Sequence, residues 1–277
     1  MFRLRKFCRT LTKFMKNEIL SQITTECPWR DTLYWYDSLD STNTRAKALA
    51  KDGAAHGTIL VAKTQTGGRG RMGRSFLSPI GGVYLSVILR PDCSPEKLMH
   101  LTCAAAVAGC KAVERACGVC PDIKWTNDLV CGRKKLGGIL TELVLDGNGL
   151  VDCAIIGIGI NCEKPKNFPE ELQKTVTSIS EISETPCTSA KLTAKLVEAL
   201  YEISKMLITG KQEMMELYRQ RCITLGQEIK VVCGDTVDYG TALDLDADGG
   251  LLVRFPDGRE KVVTSGEVSV RGMYGYL

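Results

Sequence analysis

Apolar positions along this chain fall into two textures. Up to about residue 225, β-branched runs alternate with longer stretches of helical spacing; from Gly226 onward, short alternating segments are punctuated by Gly and Asp. In the first region the pattern predicts strands at Leu33–Asp37, Thr58–Lys63, Val83–Leu89, Ile123–Trp125, Leu129–Cys131, Leu136–Leu145 and Val151–Ile160. Helices are predicted from Asp40 or Ser41, either of which can cap, to Lys51, over the alanine-rich Glu96–Cys117, and over Ala190–Ile208 and Lys211–Arg221. Gly53, Gly118 and Gly210 stand where those helices should stop. In the second region, five short strands are expected within about 50 residues (Glu228–Cys233, Val237–Leu245, Leu251–Phe255, Lys261–Thr264 and Val268–Arg271). The expectation is an α+β protein: a mixed β-sheet domain packed with helices over residues 33–225, then a small β-barrel over 226–277. Residues 1–32 read as a basic N-terminal extension.

Charge narrows this picture. The 277 residues carry a formal net charge of +4, but Arg3, Arg5, Lys6, Arg9, Lys13 and Lys16 fall in the first 16 residues, which hold no acid. The rest has 30 basic and 32 acidic side chains, so the body is not basic and gives no electrostatic reason for a nucleic-acid partner. No stretch reaches the roughly 18 apolar residues of a membrane span. The first 16 residues lack the apolar core and cleavage site of a secretory signal. Thirteen cysteines, an odd number, fit reduced thiols in a cytoplasmic compartment. Cys103, Cys110 and Cys117 recur at helical spacing and should pack as small hydrophobes. With two histidines, His56 and His100, metal centres and histidine-based triads are poorly supplied.

Three segments carry chemistry. Gln65-Thr66-Gly67-Gly68-Arg69-Gly70-Arg71-Met72-Gly73-Arg74 lets the backbone approach a ligand and offers guanidinium groups to anions. It contains G-x-G-x-x-G, yet Pro79, Gly81 and Gly82 prevent the helix that a dinucleotide fold places there, and no Walker A sequence occurs. Lys124-Trp125-Thr126-Asn127-Asp128 precedes Lys135-Leu136-Gly137-Gly138; Lys135 can meet a phosphate or carboxylate, or it can be a surface lysine. Asn127 and Asp128 can orient a base, a metal or an amine. Gly157-Ile158-Gly159-Ile160-Asn161 marks close approach to a strand, with Asn161 either facing a base or capping a turn.

Ser41-Thr42-Asn43, Gln65 before GGRGRMGR, Ser78-Pro79-x-Gly81, KWTND, KKLGGIL and GIGIN together resemble the catalytic domain of biotin protein ligases. The resemblance runs from about residue 34 to 161 and extends to a C-terminal barrel of SH3-like form. It implies activation of biotin by ATP to biotinyl-5′-adenylate, then transfer to a lysine of a biotin carboxyl carrier domain of an acyl-CoA carboxylase. Lipoate or octanoate transfer on the related fold is the alternative. By motif match, Ser41, Thr42, Asn43, Gln65, Arg69, Gly70, Arg71 and Lys135 would contact biotin, and Lys135, Arg69 and Arg71 would serve catalysis. Gly68, Lys124, Asn127, Asp128 and Asn161 would face the nucleotide, and Mg²⁺ would accompany ATP through ligands the sequence does not name. Thr126 stands where the motif more often has proline, which implies a less rigid turn. No room precedes the motifs for a helix-turn-helix, so operator binding is not expected. Homodimers through sheet edges occur in such families, and the sequence leaves that open.

Overall fold

The computed structural model describes residues 14–164, 169–233, 235–264 and 267–270. Arg3, Arg5, Lys6, Arg9 and Lys13 of the basic segment lie outside the described residues. The central element is a seven-stranded mixed sheet. Its strands are β1 (Leu33–Tyr36), β2 (Thr58–Ala62), β3 (Gly82–Leu89), β4 (Asp122–Lys124), β5 (Asp128–Cys131), β6 (Lys134–Leu145) and β7 (Val151–Asn161). They lie in the order β1-β2-β3-β7-β6-β5-β4. Only β1 and β2 run parallel, because α2 (Thr42–Lys51) carries the chain back between them; the remaining pairs are antiparallel.

Both faces of the central strands are covered, so β2 and β3 read as continuous apolar runs rather than alternating ones. On one face, Ala46 and Ala50 of α2 pack on Leu60, Ile88 and Ile155. The other face carries the main core beneath α3 (Leu101–Cys117) and α6 (Ser189–Met206). Five fully buried alanines and Gly109 let α3 lie deep against its neighbours; a Cβ at Gly109 would sit 2.8 Å from Leu129 Cδ1. Cys103, Cys110 and Cys117 are buried there as the spacing predicts, and burial pushes the Cys103 and Cys110 thiols up to about 12.

Two expected boundaries moved furthest. The helix drawn from Glu96 begins at Leu101: Pro95–Leu98 forms a separate 3-10 turn, and His100 takes the cap position. Within the segment drawn as an extension to residue 32, residues 14–22 are helical (α1). Ile19, Ile23, Cys27 and Trp29 are buried in the main core, and Thr24 N–H donates to Glu198 Oε1 at 2.8 Å. Counting charges hid those apolar positions.

Beyond β7 come two single-turn helices, α4 (Glu170–Gln173) and α5 (Ile179–Ile182), then α6 and α7 (Lys211–Arg221). The C-terminal strands are β8 (Glu228–Cys233), β9 (Thr236–Leu245), β10 (Leu251–Arg254), β11 (Glu260–Val263) and β12 (Glu267–Val270). Among the described residues they form one antiparallel sheet in the order β11-β10-β9-β8-β12. No helix of the described residues is long and apolar enough to cross a membrane.

Candidate functional site

Three rows of side chains on the α2 face of the sheet decide where a ligand can lie. Strand register aligns Tyr84, Gly159 and Gly138 in one row, Ser86, Gly157 and Leu140 in the next, and Ile88, Ile155 and Glu142 in the third. Glycines at the centre of the first two rows leave a depression that side chains from the loops enter. The Phe76 ring lies on the first row: a Cβ at Gly159 would come within 2.4 Å of it, and one at Gly138 within 3.3 Å. The Tyr84 ring meets Phe76 edge-on, its hydroxyl donating to Pro79 O at 2.7 Å. Over this floor opens a cavity of about 450 Å³.

One end of the cavity is neutral. Ser41 caps α2, and the backbone and hydroxyl of Thr42 both donate to Gln65 Oε1, at 2.8 and 3.1 Å. Gln65 Nε2 donates to Ser78 Oγ at 2.7 Å, and Ser78 Oγ donates to Phe76 O. This chain fixes the Gln65 amide with its nitrogen toward Ser78 and leaves one Nε2 proton over. Asn43 also lines the wall, but its amide is committed to the protein: Nδ2 donates to Leu140 O and Glu142 Oε2, and Oδ1 accepts from Ser86 Oγ.

The other end is cationic. Among the described residues, Arg69, Arg71, Arg74, Lys124 and Lys135 line the cavity with one carboxylate, Asp128, a formal net of +4. Lys135 Nζ holds Asp128 Oδ1 at 2.6 Å and lies 5.9 Å from the centre of the Phe76 ring. Its backbone is fixed as well, its N–H donating to Thr175 O and its carbonyl accepting from Thr177 N–H, both at 2.8 Å. Arg71 Nη1 reaches Asn127 Oδ1 at 3.3 Å; burial lowers its pKa, and Asp128 opposes that only in part. A guanidinium partly withdrawn from water favours an incoming anion. The arginine loop is an irregular hairpin, closed by Gln65 N–H to Ser78 O, Phe76 N–H to Gly68 O and Gly70 N–H to Arg74 O.

The KWTND turn is held from outside. Trp125 N–H donates to Thr224 Oγ1 at 2.9 Å, and its indole Nε1 donates to Gly249 O at 2.8 Å. The Tyr218 hydroxyl donates to Thr126 O at 3.1 Å, and Lys124 Nζ donates to Val268 O at 2.8 Å. The looser turn implied by Thr126 is therefore clamped by α7, the following segment and the C-terminal sheet. Asn127 closes the clamp by exchanging backbone and side-chain bonds with Ile139.

Of the sequence-predicted residues, Ser41, Thr42, Asn43, Gln65, Arg69, Gly70, Arg71, Lys124, Asn127, Asp128 and Lys135 all line this cavity. Gly68 and Asn161 do not. Gly68 is where the hairpin strands cross too closely for a side chain, a Cβ there falling 2.3 Å from Phe76 O. Asn161 Nδ2 donates to Thr177 O at 3.0 Å, supporting the segment that pairs with Lys135.

The chain is similar to known proteins. Residues 35–161 match the Biotin/lipoate A/B protein ligase family, and residues 224–271 match the Biotin protein ligase C terminal domain. The chain is 35% identical over 256 residues to the bifunctional ligase/repressor BirA of Bacillus subtilis, covering 91% of this chain and 78% of that protein. This chain belongs to the biotin protein ligase family. It is also similar to the biotin–[acetyl-CoA-carboxylase] ligase of Mycobacterium tuberculosis, at 31% identity over 82% of this chain and 85% of that one. Its fold is similar to the biotin protein ligase from Aquifex aeolicus in complex with biotin and ATP, with a TM-score of 0.73, 31% identity, and coverage of 86% of this chain and 98% of that chain.

Motif reading passed over several residues of this biotin protein ligase. Ser86 and Glu142 were visible as polar interruptions of apolar strands, and period two puts Ser86 on the face of Tyr84. Tyr218 and Thr224 carried no local signal, because only the tertiary fold brings them to Thr126 and Trp125.

Proposed function

We propose that this ligase activates biotin with ATP and transfers it to a lysine of a biotin carboxyl carrier domain in two displacements at one site. In the first, a biotin carboxylate oxygen bonds to the α-phosphorus of ATP and diphosphate leaves. In the second, the lysine amine bonds to the acyl carbon, AMP leaves and the amine loses a proton. The observation that carries this reading is the polarity of the cavity: a neutral hydrogen-bonding end and a +4 end share one glycine-floored groove.

A ureido ring is neutral and polar, with two N–H donors and a carbonyl, and suits Ser41, Thr42 and Gln65. The ligand's apolar body would lie on the glycine rows against Phe76. Its carboxylate then arrives among Arg69, Arg71 and Lys135, where it meets the α-phosphate. Both reactants are anions, so positioning and fixed positive charge lower the barrier, and no nucleophilic side chain is required. Lys135 is the catalytic residue of this scheme: displacing Asp128 from its ammonium frees it for oxygens that gain charge in the transition state. Lys124, Asn127 and Asp128 face the nucleotide end. Mg²⁺ enters as part of the ATP complex; among the described residues no group of three or more His, Cys, Asp or Glu could hold it. A carboxylase carrier domain as acceptor, and action in the cytoplasm, belong to the same reading.

Biotin-dependent exchange of labelled diphosphate into ATP tests it. Exchange with biotin, and none with lipoate or octanoate, is the expected result. Exchange that follows lipoate and ignores biotin overturns the proposal.

A further inference from the structure

We propose that Asn43 and Glu142 form a positioning pair: Asn43 serves the neutral end of the cavity without giving its amide to the ligand, and Glu142 dictates how that amide points. The inference rests on the ligase reading above and deepens it at the head-group end. A primary amide has two protons and two oxygen lone pairs. Both Nδ2 protons of Asn43 are taken, by Leu140 O at 3.2 Å and Glu142 Oε2 at 2.9 Å. Oδ1 accepts the Ser86 hydroxyl at 2.7 Å, and its other side lies against Gly157, where an added Cβ would be 2.0 Å away. Nothing on this amide is left for a bound molecule, although the residue lines the cavity wall.

The orientation is forced. Leu140 O and the Glu142 carboxylate can only accept, so a flipped amide would set its oxygen against both. Ser86, Gly157 and Leu140 are register partners across β3, β7 and β6, so the amide lies across that row like a strut. Glu142 stands two residues beyond Leu140 on β6, and its second oxygen holds Lys47 Nζ at 2.7 Å. Asn43 and Lys47 are four apart on α2, so one carboxylate grips the same face of the helix at two points. Burial alone would raise the Glu142 pKa, but the bonds from Lys47 and Asn43 outweigh it and hold the group ionised.

What the strut places is the start of α2. Ser41 and Thr42 immediately precede Asn43, and Thr42 in turn orients the Gln65 amide. Movement of Asn43 therefore shifts the three side chains that the ligase reading gives to the ureido ring. Glu142 is not among the cavity-lining residues, so it acts through Asn43.

A charge exchange tests the pair, with KM for biotin and for ATP measured separately in diphosphate exchange. Asn43→Asp keeps the acceptor for Ser86 but sets two carboxylates against each other; KM for biotin should rise about tenfold or more, with KM for ATP within about twofold. Adding Glu142→Gln supplies an Nε2–H to the new carboxylate and still accepts from Lys47. The oxygen set against Leu140 O is not relieved, so the double variant should recover KM for biotin in part, to about threefold or more below that of the single variant. An Asn43→Asp enzyme with unchanged KM for biotin, or a double variant as poor as the single, overturns the pair. If Asn43→Asp does not fold, Ser86→Ala, which strands Oδ1, should raise KM for biotin severalfold and spare ATP, and equal effects on both substrates overturn the proposal. Wild-type exchange in the same assay separates the levels. Its absence refutes the ligase reading, whereas its presence beside an unrescued double variant refutes only the pair.

Discussion

The two ends of the cavity differ in how their polar groups are satisfied. At the neutral end, Thr42, Gln65, Ser78, Asn43, Ser86 and Glu142 form closed chains of hydrogen bonds, all between α2, the sheet and the base of the arginine loop. At the cationic end, five basic side chains face one carboxylate, and the turn that carries it is fastened by α7, Thr224 and the C-terminal sheet. The neutral end is complete before a ligand arrives, and it selects by shape and by the few donors left over. Among the described residues, basic side chains outnumber the one carboxylate that lines the cationic end, so a bound anion meets net positive charge there. In the proposed reaction, selectivity and rate therefore fall to separate parts of one groove.

That division is broken most severely by Lys135→Ala. The residue holds Asp128 at 2.6 Å and sits where the two reacting anions would meet. Removing a cation that acts chiefly in the transition state costs about 100- to 1000-fold in turnover. In diphosphate exchange kcat should fall by that order while KM for biotin changes little. A large rise in KM for biotin with kcat preserved would assign Lys135 to ground-state binding.

Tyr218→Phe comes next and probes the clamp rather than the charges. Losing the hydroxyl strands the Thr126 carbonyl, at a cost of about 1–3 kcal/mol shared between folding and the position of Asn127 and Asp128. A rise in KM for ATP of a fewfold, with KM for biotin held, is expected from steady-state kinetics. Equal weakening of both substrates would mean that the clamp serves the whole site.

The contrast between the ends also explains what could be read from the chain. Residues at the neutral end come from local patterns: a Ser-Thr-Asn cap at a helix start, a glutamine at a strand end and glycines in apolar runs. The clustered Arg and Lys of the cationic end were visible too, because glycine-rich basic loops and lysines before paired glycines are uncommon. Hydrogen-bond partners were not visible. Asn43 stands in a motif of ligand contacts and has its amide bonded within the protein, while Asn161 stands in a motif that would face the nucleotide and donates to Thr177 O. Amide side chains do either job with the same chemistry, and only the tertiary fold shows which protein groups they meet. The clamp on Trp125 was hidden for a different reason, because Thr224 and Gly249 lie 99 and 124 residues away.

The smallest expected effect refines the neutral end. Lys47 and Glu142 are paired at 2.7 Å, with side chains 34% and 26% exposed. Water screens such a pair, so Lys47→Met should cost only about 0.5 kcal/mol of stability at neutral pH. The pH dependence is the sharper measurement. Folding lowers the Glu142 pKa below its ordinary 4.5, so its contribution is complete above that value and fades as pH falls through the folded value. The stability gap between wild type and Lys47→Met, measured by denaturant unfolding, should therefore be constant at neutral pH and close only below 4.5. A gap that persists in stronger acid would not come from the ion pair, and would leave Asn43 alone holding Glu142 in place.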